Sequence, residues 1–506
     1  MGRSKMEMEE PGARPAGHVR RRWGSWVAVG ALVVVAAVAA TVSAVTSSAH
    51  LAPAPTAVLP PAVSASGVRA WKGHGNLAVV SRGKLVVLRD DGTAHVVSGP
   101  PRGGFDSSPE WSADGRWLAF LHQAPATGFS VPPPSLWVVA AGARTARRPT
   151  RSPVGTFAWS PTSDRMAYTT VDPSTGYADA PRNLWTDIPG RSPVAVGGLG
   201  PETTVQSMVW SPKGRELALG VAPPEPPRTA PGVHTGRLLI VPAAGGHATT
   251  VAQQVGSGIT VAEWWPDAQG LLYWVDTGFS SSIAADGLPL DSVPLSGGTP
   301  TTLATTLVGD RWLAVDSNPG ANRVAVVAGA GRYVWMSDRH VEVCHLPAAR
   351  CTPVQEAAGS LTLAPAWTAT GTLLTVEASA RPPFGSFGGS LGPASMAAWD
   401  STDRLVQSTA PAWTTTGASA AGSGVVLAVP ARTGTAVLLV RADAVWLWHP
   451  SAHTDPVRIA GPLAVPMAPT GYDGEFDWAS TVAWTAAGGS RGGRAHPNVM
   501  LMHEVP

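Results

Sequence analysis

Short runs of apolar residues, broken every few positions by Gly, Pro, Ser, Asn or Asp, fill the chain after about residue 70. Runs of this length bounded by turn formers predict strands rather than helices. They recur in one arrangement. Residues 108–121 read SPEWSADGRWLAFL, 155–171 read GTFAWSPTSDRMAYTTV, 206–222 read QSMVWSPKGRELALGVA and 260–276 read TVAEWWPDAQGLLYWVD. Each copy is an apolar strand ending in Trp, then a polar turn, then a second apolar strand. Trp111, Trp159, Trp210 and Trp264 mark the register, in steps of 48, 51 and 54 residues. Looser copies follow around Asp316, Trp367, Trp413 and Trp484, with VVLAVPARTGTAVLLV as an alternative to the copy at Trp413. A third strand bearing an aromatic comes next in several units, at Trp137, Trp185, Trp399 and Trp446, and a short fourth strand often closes the unit.

Four strands in roughly 50 residues is the spacing of propeller blades, which bury their faces only by stacking radially. Large aromatics at one fixed register would supply the packing between blades. The two ends of the chain are complementary. Residues 75–98 hold three strands of a blade that lacks its first, and residues 480–485 supply a Trp-bearing first strand. Pairing them would remove an open sheet edge. The predicted fold class is therefore all-β: a single β-propeller of four-stranded blades over residues 71–506. The repeat step favours eight blades, and seven results if 367–430 holds one blade with insertions.

The W-S-P-D-G type of turn followed by an apolar strand resembles the TolB-like, WD-like repeat of bacterial periplasmic and cell-surface propellers. Ser112, Asp114, Gly115, Ser160, Pro161, Ser211, Pro212 and Gly214 carry the match. It spans roughly residues 70–506, closely in the first half and loosely after 310. The resemblance implies a propeller used for protein docking or as a scaffold; related propellers also stand beside peptidase domains. The TolB family places an α/β domain ahead of its propeller. This chain has an apolar segment and an Ala/Pro-rich stretch there instead, which takes a Tol–Pal role out of what the resemblance implies.

Charge sets the compartment. Six Lys/Arg and three Asp/Glu lie in residues 1–22, leaving 30 against 31 in the rest. The nearly neutral body offers no cationic run for nucleic acid. Residues 26–45 carry no charge, and about 20 residues at about 1.5 Å rise span the roughly 30 Å hydrocarbon layer. Arg20, Arg21 and Arg22 precede the run, so the positive-inside rule predicts a cytoplasmic tail (1–25), a signal-anchor transmembrane helix (26–46), an extended stalk (47–70) and an extracytoplasmic propeller. The alternative is a secreted chain, cleaved near Val42-Ser43-Ala44. In either location Cys344 and Cys351, flanking a short hairpin, can form a disulfide; two free thiols are the other state. Two cysteines alone are too few for a structural zinc site.

A search for chemistry finds no HExxH, P-loop, EF-hand or GxGxxG. Gly388-Gly389-Ser390-Leu391-Gly392 has the spacing of a nucleophile elbow, but it lies in a Gly/Pro loop ahead of Pro393. Asp473, Glu475 and Asp477 read as a solvated turn, and no metal or cofactor is predicted. These absences predict a protein that is not an enzyme. They point to a module binding a protein or peptide of the cell envelope, tethered to the membrane by its N-terminal helix. The alternative is a propeller hydrolase or lyase with a site in the central channel. The candidate binding surface is the set of long inserts between second and third strands: 122–135, 172–183, 223–236, 276–288 and 380–395. In antiparallel blades these share one face. They are stiffened by Pro and carry Phe129, Tyr177, Phe279, Phe384 and Phe387, the candidate binding residues.

Overall fold

The chain divides into two units, Met1–Ala57 and Val58–Pro506. A computed structural model describes residues 60–485 of the second, except 61, 102, 126–131, 172–180, 198, 200–202, 223–234, 278–286, 310–311, 319, 330–338, 355–359, 382–389, 401–404, 410–424, 432–435, 442–443, 451–454 and 464–477. Eight antiparallel sheets follow one another. Blade 1 holds β1 (Asn76–Ser81), β2 (Lys84–Leu88) and β3 (Ala94–Val96). Blade 2 holds β4 (Phe105–Trp111), β5 (Trp117–Gln123) and β6 (Ser135–Ala140). Blade 3 holds β7 (Val154–Trp159), β8 (Met166–Val171), β9 (Pro181–Asp187) and β10 (Val194–Ala195). Blade 4 holds β11 (Thr204–Trp210), β12 (Glu216–Ala222), β13 (Thr235–Pro242) and β14 (Thr249–Val255). Blade 5 holds β15 (Ser257–Trp264), β16 (Gly270–Thr277), β17 (Leu288–Pro294) and β18 (Thr301–Thr306). Blade 6 holds β19 (Leu313–Val315), β20 (Arg323–Ala328), β21 (His340–His345) and β22 (Arg350–Pro353). Blade 7 holds β23 (Ser360–Trp367), β24 (Leu373–Arg381), β25 (Ser390–Trp399) and β26 (Leu405–Thr409). Blade 8 holds β27 (Val425–Pro430), β28 (Val437–Arg441), β29 (Ala444–Trp448) and β30 (Val457–Ala460).

The last strand, β31 (Val482–Thr485), pairs with β1 and completes blade 1, with Leu77 opposite Trp484. The protein is an eight-bladed propeller, and the seven-bladed count is excluded. Three details differ from expectation. The first strand of blade 8 is the alternative VVLAVP, and Trp413 lies outside the described residues. The fourth strand of blade 2 shrinks to a single bridge, Val138 with Arg147. The expected stalk ends early, because helix α1 (Ala65–Trp71) falls inside it.

Local chemistry explains α1. Ser64 Oγ accepts the Gly67 N–H at 3.0 Å, a normal N-cap, and Trp71 is wholly buried. A Cβ at position 67 would overlap the Ile459 carbonyl, so only Gly lets the helix seat on β30. Val63 bridges Ala460, and Gly461 N–H donates to Ala62 at 2.8 Å. Residues 62–71 thus cover the outer edge of blade 8, which would otherwise be open to pairing.

The first strands ring the centre: β31 lies against β4, β7 against β11, β11 against β15, β19 against β23 and β23 against β27. Their Trp side chains are linked. Trp159 Nε1 donates to the Glu110 carbonyl at 2.9 Å, and Trp210 Nε1 to the Ala158 carbonyl at 2.9 Å. Trp264, Trp367 and Trp111 donate to Val209, Ala314 and Ala483 at 3.3, 3.1 and 3.3 Å. Each acceptor is the residue just before the Trp position of the preceding blade. The apolar cores sit between neighbouring sheets. One joins Ala119, Leu121 and Val138 of blade 2 to Phe157, Trp159 and Tyr168 of blade 3.

The turn residues have equally local causes. Ser112 Oγ accepts the Trp117 N–H, and Ser211 Oγ accepts those of Arg215 and Glu216. Gly115 and Gly214 take φ of +69° and +65°, which L side chains rarely adopt.

Replacing Trp210 with Phe should keep most of the packing while leaving a buried carbonyl unpaired. The expected loss is about 1–3 kcal/mol in urea denaturation; a loss below about 0.5 kcal/mol would show that the indole bond is incidental. A second test uses the seam at β31. The Trp484 Nε1 donates to the His74 carbonyl at 2.6 Å, and the His74 ring lies 5.2 Å from that of His449. Burial, with the charge of His449, lowers the His74 pKa below its usual 6.5 against the pull of Asp90. The unfolded chain therefore binds a proton there more readily, and stability falls as pH drops through 6.5 and on through the lower folded pKa. His74→Gln keeps the backbone acceptor and should flatten that part of the stability–pH curve between about pH 7 and 5.

Candidate functional site

In each blade the second strand ends, and the first begins, at the same end of the disc, since the pair is antiparallel: Phe105 lies opposite Gln123, Thr204 opposite Ala222 and Ser257 opposite Thr277. All connections between second and third strands leave from this end. In blades 2 to 7 they run through 124–134, 172–180, 223–234, 278–287, 329–339 and 382–389. In blade 1 the connection is the two-residue turn Arg82-Gly83, both with positive φ, and in blade 8 it is only residues 442–443. The connection at this end is thus 8 to 12 residues long in six consecutive blades and two residues long in the other two. Phe129, Tyr177, Phe279, Phe384 and Phe387 all lie in stretches outside the described residues, as do Asp473, Glu475 and Asp477. Ser390, Leu391 and Gly392 of the GxSxG open β25, opposite Arg381. The segment expected to be a loop is strand there. A strand, not a helix, follows the serine, so the motif is no nucleophile elbow.

The described chemistry at this end centres on a pair that sequence reasoning passed over. Asp106, second residue of β4, is the cross-strand partner of His122 on β5. His122 Nδ1 donates to Asp106 Oδ1 at 2.8 Å, and Leu85 N–H of blade 1 donates to Oδ2 at 3.0 Å. Asp106 N–H in turn donates to the Gly83 carbonyl at 2.9 Å. The side chains are 1 % and 2 % exposed, so both are inside the protein. The carboxylate fixes the imidazole tautomer, placing the proton on Nδ1 and a lone pair on Nε2. Among the described residues Nε2 has no hydrogen-bond partner. Ser135, at the far side of the first insert, donates its hydroxyl to the His122 carbonyl at 3.2 Å. The pair therefore does two things. It clips blade 2 onto the bare turn of blade 1, and it holds an oriented, proton-accepting nitrogen at the root of the first insert.

Other polar groups mark the same end. Ser81 Oγ donates to the Pro462 carbonyl at 2.6 Å, bridging blades 1 and 8. Arg339, wholly buried at the start of β21, donates to the Gly329 carbonyl and lies 5.2 Å over the Trp312 ring. At the opposite end, Asp187 closes β9. Burial pushes its pKa up against the pull of Arg147, and its Oδ1 has no partner among the described residues. The sequence signal that could have found Asp106 and His122 was their spacing about one strand turn, D-x₁₅-H across a predicted hairpin. It was lost among thirteen scattered His.

No family model and no curated protein matches the chain. Solved structures similar to it include the acylaminoacyl peptidase of Pyrococcus horikoshii, 9 % identical, TM-score 0.41, over 70 % of this chain and 52 % of that one. TolB from Acinetobacter baumannii is 15 % identical, TM-score 0.33, over 56 % and 64 %. The β-propeller domain of the Trilobed protease from Pyrococcus furiosus is 9 % identical, TM-score 0.38, over 69 % and 96 %. The chain spans about half the length of the peptidases it matches. The expectation that the protein is not an enzyme is corrected here. Peptidases recur among the similar structures, and the missing motifs do not exclude catalysis.

The Asp106 clip is open to test. Asp106→Ala strands the Leu85 N–H and the His122 Nδ1–H in the interior. The expected loss is about 2–4 kcal/mol in urea denaturation followed by Trp fluorescence. A change within about 0.5 kcal/mol would show that the pair does not join the blades.

Proposed function

We propose that this chain is a membrane-tethered, extracytoplasmic propeller that engages a protein or peptide of the cell envelope on its insert-bearing end. The observation that carries the reading is the rim itself: long second-to-third-strand connections in six consecutive blades, and a bare sector over blades 8 and 1. Long connections gathered at one end of a stack of sheets are the arrangement expected of a recognition surface on a rigid scaffold. The bare sector gives an elongated ligand an entry. The tether rests on the uncharged run 26–45 behind Arg20–Arg22. No helix among the described residues is long and apolar enough to cross a membrane, and the run itself lies outside them.

A second reading is favoured by one observation, the His122–Asp106 pair. It is a propeller hydrolase or lyase acting at the same end, with His122 as general base through Nε2 and Asp106 orienting it.

Photo-crosslinking in intact cells separates these. A crosslinker at Phe129 or Tyr177 should trap the same partner, while one at Asp91, on the opposite end, should trap none. Absence of a shared partner sinks the binding reading. For the enzymatic reading, His122→Gln should lower turnover of peptide or oligouronate substrates by about 10²-fold or more without unfolding the chain. Wild-type protein inert towards both classes removes it.

A further inference from the structure

Two cysteines are too few to hold a zinc ion, but the register of blade 6 adds to them. His340, Glu342 and Cys344 alternate along β21 and so share one face. Cys351 on β22 lies directly opposite Cys344, and their sulfurs are bonded at 2.06 Å. The ligand atoms of Glu342, Cys344 and Cys351 all lie within 4.8 Å of one another. Beyond them His340 Nε2 stands 3.2 Å from Glu342 Oε1. The carboxylate therefore has both the sulfur pair and an imidazole nitrogen close to it. A disulfide needs no carboxylate beside it, and a carboxylate set against two sulfurs is the donor set of a borderline-soft divalent cation.

We propose that the oxidised hairpin is a latent metal site: reduction of the disulfide lets Glu342, Cys344 and Cys351 hold one Zn²⁺, with His340 as a positioning residue for Glu342. The switching step needs a dithiol. Its thiolate attacks Cys351 Sγ, the half-buried sulfur, and the fully buried Cys344 leaves as thiolate. The second thiol of the reductant then releases Cys351 and closes its own disulfide. Two electrons and two protons pass to the hairpin, and the reductant is oxidised by the same two electrons. Metal binding expels the two thiol protons. The geometry asks for little movement. Zn–S bonds of about 2.3 Å and Zn–O of about 2.0–2.2 Å set donors about 3.5 Å apart. The sulfurs need only part to that distance, while the carboxylate already lies within reach. Three protein donors leave the fourth position to water, as in open rather than structural zinc sites.

The test uses the full chain, oxidised or reduced with a water-soluble phosphine under anaerobic conditions, titrated with Co²⁺ as the spectroscopic probe. The reduced chain should develop a thiolate-to-cobalt charge-transfer band that saturates at one equivalent, and the oxidised chain none. His340→Ala should weaken Co²⁺ binding by about 10–100-fold while the band stays. Glu342→Ala should weaken it at least as much and alter the ligand-field bands. A reduced chain without the band overturns the proposal, as does unchanged affinity in Glu342→Ala, since the thiols alone would then account for binding. Trp fluorescence and circular dichroism keep the outcome clear. If reduction melts the fold, the site does not exist as described.

Discussion

An indole N–H inside a protein must find an acceptor, and a carbonyl on the inner strand of a propeller blade must find a donor other than water. At five junctions of this chain each need is met by the other. The Trp closing the first strand of one blade reaches back to the carbonyl preceding the Trp position of the blade before it, at Trp111, Trp159, Trp210, Trp264 and Trp367. Because donor and acceptor belong to different blades, every such bond fixes the angle and the height of one sheet against the next. The third-strand Trp side chains do not do this. Trp185 and Trp399 donate to Thr170 and Thr375 of their own blades. Their aromatic mass fills the layers between sheets, but their polar atoms carry no information about the neighbour.

The places where the Trp is missing show what the link supplies. Blade 6 has Val315 at that position and cannot reach back to blade 5; there Asn322 Nδ2 donates to Asp267 Oδ2 across the two blades at 3.0 Å, while a buried ion pair adds to the junction with blade 7. Arg323 contacts Asp316 Oδ2 at 2.8 Å, donates to the Gly371 carbonyl of blade 7 and lies 4.4 Å over the Trp367 ring. Arg is suited to this, since one guanidinium can pair, donate and stack at once. Blade 8 has Pro430 there and cannot make the link either. The next junction, between blades 8 and 1, is closed by the N-terminal end of the described chain. Trp484 donates to His74, and Trp71 packs edge-on against it with ring centroids 5.4 Å apart. The segments around Trp71 and Trp484 therefore meet where the ring closes.

This explains which parts of the fold were legible in the sequence. Trp spacing and turn chemistry follow from short-range physics, so Ser112, Gly115, Ser211 and Gly214 announced their blades. The eight-blade count also depended on complementary ends, and both ends are plain in the apolar pattern. Blade 8 was harder because its first strand lacks the Trp, while Trp413 nearby offers a false copy of the motif. Helix α1 was masked by an Ala- and Ser-rich composition that also suits an extended stalk. Only its contact with Ile459, nearly 400 positions away, makes Gly67 and Trp71 meaningful. Asp106 and His122 were invisible for the same reason. Neither stands in a motif, and their importance comes from a cross-strand register and from a Leu85 N–H in another blade.

The bare sector of the rim and the seam of the ring coincide at blades 8 and 1, and one constraint accounts for both. A first strand supplied by residues 482–485 must pair with strands made from residues 76–96, so blade 1 is assembled from two distant segments. Its remaining hairpins then have to be stable with little help, and Arg82-Gly83 is the tightest way to join two strands, with φ positive at both positions as the twist of a two-residue hairpin requires. A long insert there would add loop-closure entropy to the blade that already bears the cost of joining the ends. The same short turn brings the Gly83 carbonyl and the Leu85 N–H to where Asp106 can bind both. The short turn of blade 1 is in this sense a consequence of closure. The end that carries the long connections has its shortest one, Arg82-Gly83, at the seam, and the buried His122 stands beside that turn.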